Sequence, residues 1–224
     1  MTTEKNGSGP PTASDAPGAD KMSFNCSDQA NATWRQRAEI CVDLVATIAP
    51  AHGAQLLVAD IGCGDQKLRE ALDRRGIRFA YSGYDLLPQS ADVGQFDVRT
   101  ESLSGHYDVT VMLGVIEYLE NLSEVLRRMA TKVPHLIVSH VIRQGDTYSA
   151  SRLSELGWIN HLAATELEQL LGDCGYAISA RRMTPDGRTL LLACEASVQG
   201  SLRESLWRPC GPVSHPVLIA AGRK

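Results

Sequence analysis

The hydrophobic positions in the first part of the chain alternate between a helical and a strand period. Apolar side chains recur at helical spacing over residues 28 to about 49 and a proline follows, which predicts an amphipathic helix. The apolar run at 56–61 lies between glycines and predicts a buried strand. A helical period at 65–75 and an apolar run at 78–84 come next, so this segment predicts one βαβ unit.

The alternation continues to residue 195, with turn and capping signals at several boundaries. The tripeptide Pro185-Asp186-Gly187 favours a tight turn, so the two strands around it are expected to form an antiparallel hairpin. The further predicted elements are a short strand at 95–98, a strand at 107–113, a helix at 119–132 capped reciprocally by Asn121 and Glu124, a strand at 134–141, a helix that opens at Thr165-x-x-Glu168 and ends near 172–175, and strands at 176–183 and 189–195.

This order of elements predicts an α/β fold. The sheet is expected to be Rossmann-like and mostly parallel, with helices on both faces in three layers and a C-terminal antiparallel hairpin strand. Residues 23–197 form the predicted domain. Residues 1–22 contain few large apolar side chains, so they predict a disordered tail. The extension at 198–224 contains Trp207 and an apolar PVLIAA segment, which are candidates for packing against the domain or against a second subunit in a homodimer.

Composition and charge narrow the functional classes. The 224 residues are 43% hydrophobic and 21% charged, which is typical of one globular domain. The net charge of -4 gives no general attraction to nucleic acid. No apolar run reaches the roughly 18 residues that span a bilayer, and no signal peptide is evident, so we expect a cytoplasmic protein without membrane partners. The six cysteines include no C-x-x-C, which favours a reducing compartment and predicts no metal site.

The candidate chemistry begins where the first predicted strand ends. Gly62 and Gly64 permit a tight turn and close backbone approach to a ligand. Asp85 ends the next strand, where a carboxylate can accept hydrogen bonds from both hydroxyls of a ribose. A dinucleotide fingerprint would need glycine at position 67, which is Lys67, and an apolar residue at position 60, which is Asp60. An acid at position 60 suits a ligand with an ammonium group, such as S-adenosylmethionine, and a nicotinamide-dependent oxidoreductase is the less favoured alternative.

An ordered set of motifs over about residues 30–197 resembles the class I S-adenosylmethionine-dependent methyltransferases. LLVADIGCGD is similar to their first motif, YSGYDLLP to their ribose-binding acid, FDV to their adenine-side motif, and YDVTVMLGVIEYLEN to their fourth-strand motif. The resemblance implies a methyltransferase sheet that binds S-adenosyl-L-methionine through Asp60, Gly62, Gly64, Asp85, Leu86, Asp97, Val98 and Gly114. Gln66 stands where the family often has a third glycine, which predicts a narrower pocket or an amide beside the methionine end of the cofactor.

Two side chains are candidates for the catalytic role if the methyl acceptor is a hydroxyl, since a base must then take its proton. His140 ends the fifth strand and Glu117 follows the fourth, although either side chain can instead be structural. Trp34 with Arg35 and Arg37 can form a lid over the cofactor, although Trp34 can instead pack on the inner face of the first helix. Asn160 and His161 are expected to cap the last helix. The acceptor is expected to be a small molecule such as a sugar, a polysaccharide precursor or a secondary metabolite. A non-catalytic protein of the same fold, acting through a protein partner, is the alternative.

Overall fold

The computed structural model describes residues 28–51, 55–145 and 148–197, and the expected tail at 1–22 and extension at 198–224 lie outside them. The described helices are α1 (Asp28–Val45), α2 (Lys67–Arg75), α3 (Leu122–Ala130), α4 (Ala150–Leu156) and α5 (Ala164–Asp173), with a 3-10 helix at Ile116–Tyr118. The strands are β1 (Leu56–Ile61), β2 (Phe79–Asp85), β3 (Val93–Gln95), β4 (Val109–Leu113), β5 (His135–Val141), β6 (Tyr176–Met183) and β7 (Thr189–Ala196).

The seven strands form one sheet in the order β3-β2-β1-β4-β5-β7-β6. The pairs β1–β2, β1–β4, β2–β3 and β4–β5 are parallel, and β7 is antiparallel to both β5 and β6. The predicted α/β fold with its C-terminal antiparallel hairpin is therefore confirmed. The strand order reverses at β1, whose neighbours are β2 and β4, and ligands of open α/β sheets bind at such a switch point, beyond the carboxyl ends of the strands.

The sheet has a hydrophobic core on each face. One core joins α1 and α2 to the sheet through residues such as Cys41 and Leu72, and the other joins α3 and α5 through residues such as Leu126 and Leu171. Successive side chains of a strand point to opposite faces, so Ile137 of β5 packs in the first core while its two neighbours pack in the second. Burial on both faces accounts for the nearly continuous apolar runs of the central strands.

Several boundaries differ from the sequence prediction. Strand β3 ends at Gln95, so the prediction of a strand at 95–98 was wrong by about two residues; its length is set by pairing with β2. The helix predicted at 119–132 is shorter in the structure, where α3 spans Leu122–Ala130 and a separate 3-10 helix, Ile116–Tyr118, precedes it. Asn121 makes no side-chain cap, and its backbone carbonyl instead accepts a hydrogen bond from the N–H of Glu124 (3.0 Å).

The start of the last helix also differs. The N–H of Ala163 donates to the Glu166 carboxylate (2.8 Å), so the cap lies two residues before the predicted Thr165-x-x-Glu168 pattern. Glu168 does not cap the helix and is paired with Arg181. Asn160 does not cap this helix: its Nδ2 donates to the carbonyls of Ile116 and Leu119 and so holds the 3-10 helix. The Ile116 carbonyl accepts only a long hydrogen bond from the N–H of Leu119 (3.5 Å) within the 3-10 helix, so the amide adds a shorter one at the end of this helix. His161 likewise lies outside the cap, beside the ring of Tyr148.

Asp108 anchors the amino end of the sheet, opposite the edge where ligands bind. Its side chain is buried, and its two oxygens accept hydrogen bonds from the N–H groups of Ala51 (2.9 Å) and Leu57 (2.8 Å). The carboxylate therefore holds the segment before β1 against β4.

Asp108→Ala is expected to lower the free energy of unfolding by about 2 kcal/mol, because two backbone N–H groups lose the buried, charged acceptor that they share. Affinity for S-adenosylhomocysteine in the folded protein should be unchanged. Urea unfolding and calorimetry measure the two quantities. The exposed Asp73→Ala is the control and should change stability by no more than about 0.5 kcal/mol. Equal stability of the two variants would show that Asp108 does not anchor this edge.

Candidate functional site

A cleft opens beyond the carboxyl ends of β1 and β4, at the switch point of the sheet. It lies between α1 on one side and the glycine turn, residues 62–66, on the other. The cleft is lined by residues including Trp34, Asp60, Gly62, Gly64, Lys67 and Leu113. The structure therefore brings three of the predicted cofactor residues, Asp60, Gly62 and Gly64, to one surface.

The two glycines of the turn are required for different reasons. Both have positive φ, 71° at Gly62 and 52° at Gly64, where side chains are disfavoured. A Cβ on Gly62 would also lie 2.5 Å from Cγ2 of Val115, so protein packing requires glycine there. A Cβ on Gly64 would meet no protein atom within 4 Å, so the space in front of Gly64 is open to a ligand.

Asp85 joins the end of β2 to the glycine turn. Its Oδ2 accepts a hydrogen bond from the N–H of Gly64 (3.0 Å), and its Oδ1 accepts one from the N–H of Leu87 (3.1 Å). The side chain is buried, but each carboxylate oxygen has capacity for another hydrogen bond. Asp85 can thus fix the turn and still accept hydrogen bonds from a ribose.

Asp60 is a buried acid at the end of β1. Its Oδ2 accepts a hydrogen bond from the hydroxyl of Tyr81 (2.7 Å). Burial raises the pKa of Asp60 to about 7, since the charged form loses its hydration, while the Tyr81 hydrogen bond acts in the opposite direction. A ligand cation placed in the cleft beside Asp60 would favour the ionised carboxylate.

Tyr81 is a site residue that the sequence analysis did not identify. A Cβ on Gly83 would lie 3.0 Å from both the Tyr81 ring and the Cys63 thiol, so glycine at this position leaves room for them. Gly83 is directly opposite Asp60 in the β1–β2 pair. A glycine within a strand indicates a close approach by another group, and that signal was present in the sequence.

Gln66 departs from the expectation about the methionine end of the cofactor. It has φ 62°, a left-handed conformation that favours glycine, which agrees with the glycine often found there in the family. Its amide is directed away from the cleft: Nε2 donates to Asp92 (3.1 Å) and to Ser90 (3.4 Å). The side chain therefore connects the turn to the segment between β2 and β3 instead of narrowing the cleft.

Trp34 lines the cleft on the side of α1 and packs against Gly114, a predicted cofactor residue. A Cβ on Gly114, which has φ 64°, would overlap the Trp34 ring, so the indole lies directly on the backbone at the end of β4. Arg37 stacks on the indole, with its guanidinium carbon 4.5 Å from the ring centroid. Trp34 thus packs against the end of β4 and also lines the cleft. Arg35, on the same helix, is exposed.

The adenine-side residues of the sequence prediction follow β2 and β3. Leu86 comes directly after Asp85 and is half-buried. The carboxylate of Asp97 accepts hydrogen bonds from Nε and Nη2 of Arg99, each at 2.8 Å, and these hydrogen bonds lower the pKa of Asp97. Val98 is buried in the core on the side of α3. The cofactor-binding roles of these three residues stay predictions.

Glu117 and His140 lie together beyond the ends of β4 and β5. Oε1 of Glu117 accepts a hydrogen bond from the N–H of Val141 (2.9 Å) and lies 3.3 Å from Nδ1 of His140. Nε2 of His140 accepts a hydrogen bond from the N–H of Leu162 (2.9 Å). Both side chains are almost fully buried, and Oε2 of Glu117 has no hydrogen-bond partner among the described residues.

The pKa of Glu117 reflects two opposed influences. Burial, the largest, acts to raise it, whereas the nearby His140 ring, the hydrogen bond from the N–H of Val141 and the charge of Arg37 act to lower it. The pKa of Glu117 lies below its ordinary value as a result. Glu117 is therefore a carboxylate at neutral pH, with one oxygen held by the protein and the other unpartnered.

Comparisons with known proteins agree with this geometry. The family model described as a methyltransferase domain matches residues 33–180. A chain of the complex between the Trm112 methyltransferase activator of Haloferax volcanii and a methyltransferase is 13% identical over 76% of this chain and 97% of its own, with a TM-score of 0.59. No curated protein matches the chain.

Two further solved structures share the fold. Magnesium protoporphyrin IX methyltransferase from Synechocystis PCC 6803, with bound S-adenosylhomocysteine, is 20% identical over 81% of this chain and 95% of its own, with a TM-score of 0.56. Mitomycin 7-O-methyltransferase is 18% identical over 81% of this chain and 62% of its own, with a TM-score of 0.53. In the ranges 28–51, 55–145 and 148–197, no helix is long and apolar enough to cross a membrane, and no group of three or more potential ligands could hold a metal ion.

Gly64→Val is expected to abolish binding of S-adenosylmethionine, because the new side chain would occupy the open space at the turn. Gly76→Val is a matched control, since Gly76 also has a positive φ (69°) and no protein atom within 4 Å of its Cβ position, but lies at the far end of α2. Each substitution should cost about 1–2 kcal/mol of stability through backbone strain. Calorimetry and thermal unfolding should show lost affinity only at Gly64, and normal binding by folded Gly64→Val would refute the role of the turn.

The pKa of Asp60 predicts a pH dependence of binding. The ammonium group of S-adenosylmethionine should require the ionised form of Asp60, so affinity should rise by about tenfold from pH 5.5 to 7 as the carboxyl loses its proton. The α-amino group of the ligand stays charged over this range. Calorimetry with Asp60→Asn should show no such rise, and neither should 5′-methylthioadenosine, which has no ammonium group. A flat profile for the unaltered protein would place the ammonium elsewhere.

Proposed function

The chain belongs to the methyltransferase domain family and uses S-adenosylmethionine, and from this premise we propose that it methylates a hydroxyl group of a small molecule. When bound, the cofactor supplies an electrophilic methyl group on a sulfonium. The residues at the switch point suit it: the open space at Gly64 admits a ligand, Asp85 has capacity to accept hydrogen bonds from a ribose, and Asp60 can face an ammonium group.

The unpartnered Oε2 of Glu117 is the observation that most supports the proposal. A buried carboxylate oxygen without a donor is costly, unless a ligand supplies one. Glu117 lies just beyond β4, whose last residue, Leu113, lines the cleft. A hydroxyl of the acceptor that donates to Oε2 would be held in one orientation, and its proton would pass to Glu117 as the oxygen is methylated.

His140 has a different part in this proposal from the one that its sequence position suggested. Nε2 accepts a backbone hydrogen bond and so carries no proton, which leaves the proton of the neutral ring on Nδ1. Nδ1 lies 3.3 Å from Oε1 of Glu117, without the geometry of a hydrogen bond. The ring is fully buried, with both nitrogens turned toward protein atoms. We therefore propose that His140 positions Glu117, and that Glu117 is the residue that contacts the acceptor.

The small-molecule class of the acceptor has support from the comparisons. Two of the similar structures, the protoporphyrin and mitomycin methyltransferases, are enzymes named for small ring compounds. The rings of Tyr148, Trp158 and His161 contact one another at centroid distances of 5.3–5.9 Å, close to Glu117 in the fold. An aromatic wall of this kind suits a small organic acceptor.

Glu117→Gln tests the function directly. The amide oxygen can keep the hydrogen bonds that Oε1 accepts, while its NH2 group replaces the acceptor Oε2 with a donor. We expect transfer of a labelled methyl group to a panel of hydroxyl compounds to fall by about 100-fold or more, with affinity for S-adenosylhomocysteine and thermal stability nearly unchanged. Full activity in this variant would exclude Glu117 from the reaction.

Two substitutions of His140 separate positioning from proton transfer. In His140→Gln, the side chain can still accept from Leu162 and donate to Glu117, whereas His140→Leu removes both interactions. A positioning role predicts that the Gln variant retains most of its kcat and the Leu variant loses it by about tenfold or more. Equal, severe losses of kcat in both variants, together with a change in the pH dependence of kcat, would identify His140 as the base.

A further inference from the structure

Arg37 is a buried cation without a hydrogen-bonded partner in the described part of the chain. The residue is 8% exposed, and its Nε is buried with no acceptor. The guanidinium stacks on the face of the Trp34 ring. A ring face does not replace hydrogen-bond acceptors for the five N–H donors of a guanidinium. A buried charge without hydrogen-bond acceptors destabilises the folded protein, and a bound anion would supply the missing acceptors.

The surroundings of Arg37 place it on the acceptor side of the site. The Trp34 ring, on which the guanidinium stacks, packs against Gly114, which follows β4 shortly before Glu117 in the chain. Burial lowers the pKa of Arg37, while the charges of Glu117 and Asp186 act to raise it, which agrees with this location. Neither carboxylate forms an ion pair with Arg37. Asp186 instead accepts hydrogen bonds from Thr184 and Arg188 within the β6–β7 turn.

Two unpartnered atoms of opposite chemistry therefore lie in one region of the protein. Arg37 presents a donor with no acceptor, and Oε2 of Glu117 is an acceptor with no donor. A ligand that carries an anionic group next to a hydroxyl would satisfy both. A ligand with the hydroxyl alone would leave the guanidinium without a partner.

The walls of this region are flat and aromatic. The Trp34 ring lies under the guanidinium, and the rings of Tyr148 and Trp158 pack edge to face at 5.4 Å. Nε1 of Trp158 donates to the hydroxyl of Tyr118 (3.2 Å), so Tyr118, Tyr148 and Trp158 form one connected aromatic cluster. Aromatic side chains in such arrangements favour a planar, apolar ligand.

We propose that the acceptor is a planar aromatic compound with a carboxylate next to the hydroxyl that is methylated, and that Arg37 binds the carboxylate while Glu117 receives the hydroxyl proton. This inference rests on the proposed function. In the step, the acceptor oxygen forms a bond to the methyl carbon as the bond from carbon to sulfur breaks. The sulfur takes the bonding electron pair and becomes a neutral thioether, and the hydroxyl proton passes to Oε2 of Glu117.

The other anion that Arg37 could bind is the carboxylate of the cofactor itself. Trp34 and Ala38 of α1 line the cleft, whereas Arg37 is not among its lining residues. Lys67 lines the cleft beside the glycine turn, where it is paired with Asp65. The geometry therefore favours Lys67 for the cofactor carboxylate and Arg37 for the acceptor.

Calorimetry on the full chain saturated with S-adenosylhomocysteine tests the proposal, with salicylate as the probe and the neutral salicylamide as its matched analogue. We expect salicylate to bind about tenfold or more tightly than salicylamide. Arg37→Gln should remove this preference, with S-adenosylhomocysteine affinity unchanged. Arg35→Gln, which alters an exposed arginine of the same helix, should retain it. Arg37→Lys, which keeps the charge without the planar fork, should show an intermediate preference and serves if the Gln variant is unstable.

The outcomes are distinct. Loss of S-adenosylhomocysteine binding in Arg37→Gln, measured on folded protein, would assign Arg37 to the cofactor and overturn the proposal. Equal binding of salicylate and salicylamide by the unaltered protein, or binding of neither, would also overturn it while leaving the proposed function intact. Failure of the unaltered protein to bind S-adenosylhomocysteine at all would instead contradict the proposed function.

Discussion

The hydrogen bond from the Gly64 amide to the Asp85 carboxylate joins the ends of β1 and β2, and the shape of the cleft depends on it. This hydrogen bond adds a side-chain contact to the backbone hydrogen bonds that the amides of Gly62 and Cys63 donate to the carbonyl of Tyr84 in β2. Oδ1 of the same carboxylate is bonded to the amide of Leu87, so the start of the next loop is also fixed. One buried acid thus orders the backbone on both sides of the switch point before any ligand binds, which lowers the entropy cost of binding.

The local features of the fold could be predicted from the sequence. The apolar runs identified β1, β2 and the hairpin. The two glycines with Asp60 predicted a ligand site at the end of β1, where the structure has a cleft. Short-range patterns failed where a long-range contact decides the structure. The bounds of β3 depend on its pairing with β2, and Asn160 holds carbonyls more than 40 residues away along the chain instead of capping the next helix.

The acceptor side was only partly accessible to sequence reasoning. Glu117 and His140 were identified by their places after β4 and β5, but their relation required the backbone amide of Leu162, which decides which nitrogen of the ring carries the proton. Arg37 was considered only as part of a lid. Its importance comes from burial without a partner, a property of the packed structure that no spacing of residues along α1 can reveal.

The reversed direction of β7 has a consequence for how this protein can diversify. Because β7 runs against its neighbours, the turn between β6 and β7 lies at the same edge as the carboxyl ends of the parallel strands. This turn carries Asp186 and is closed by its own hydrogen bonds, independently of the sheet register. Evolution can therefore vary the length and charge of this turn, at the edge where ligands of open α/β sheets bind, without altering the parallel strands at the switch point.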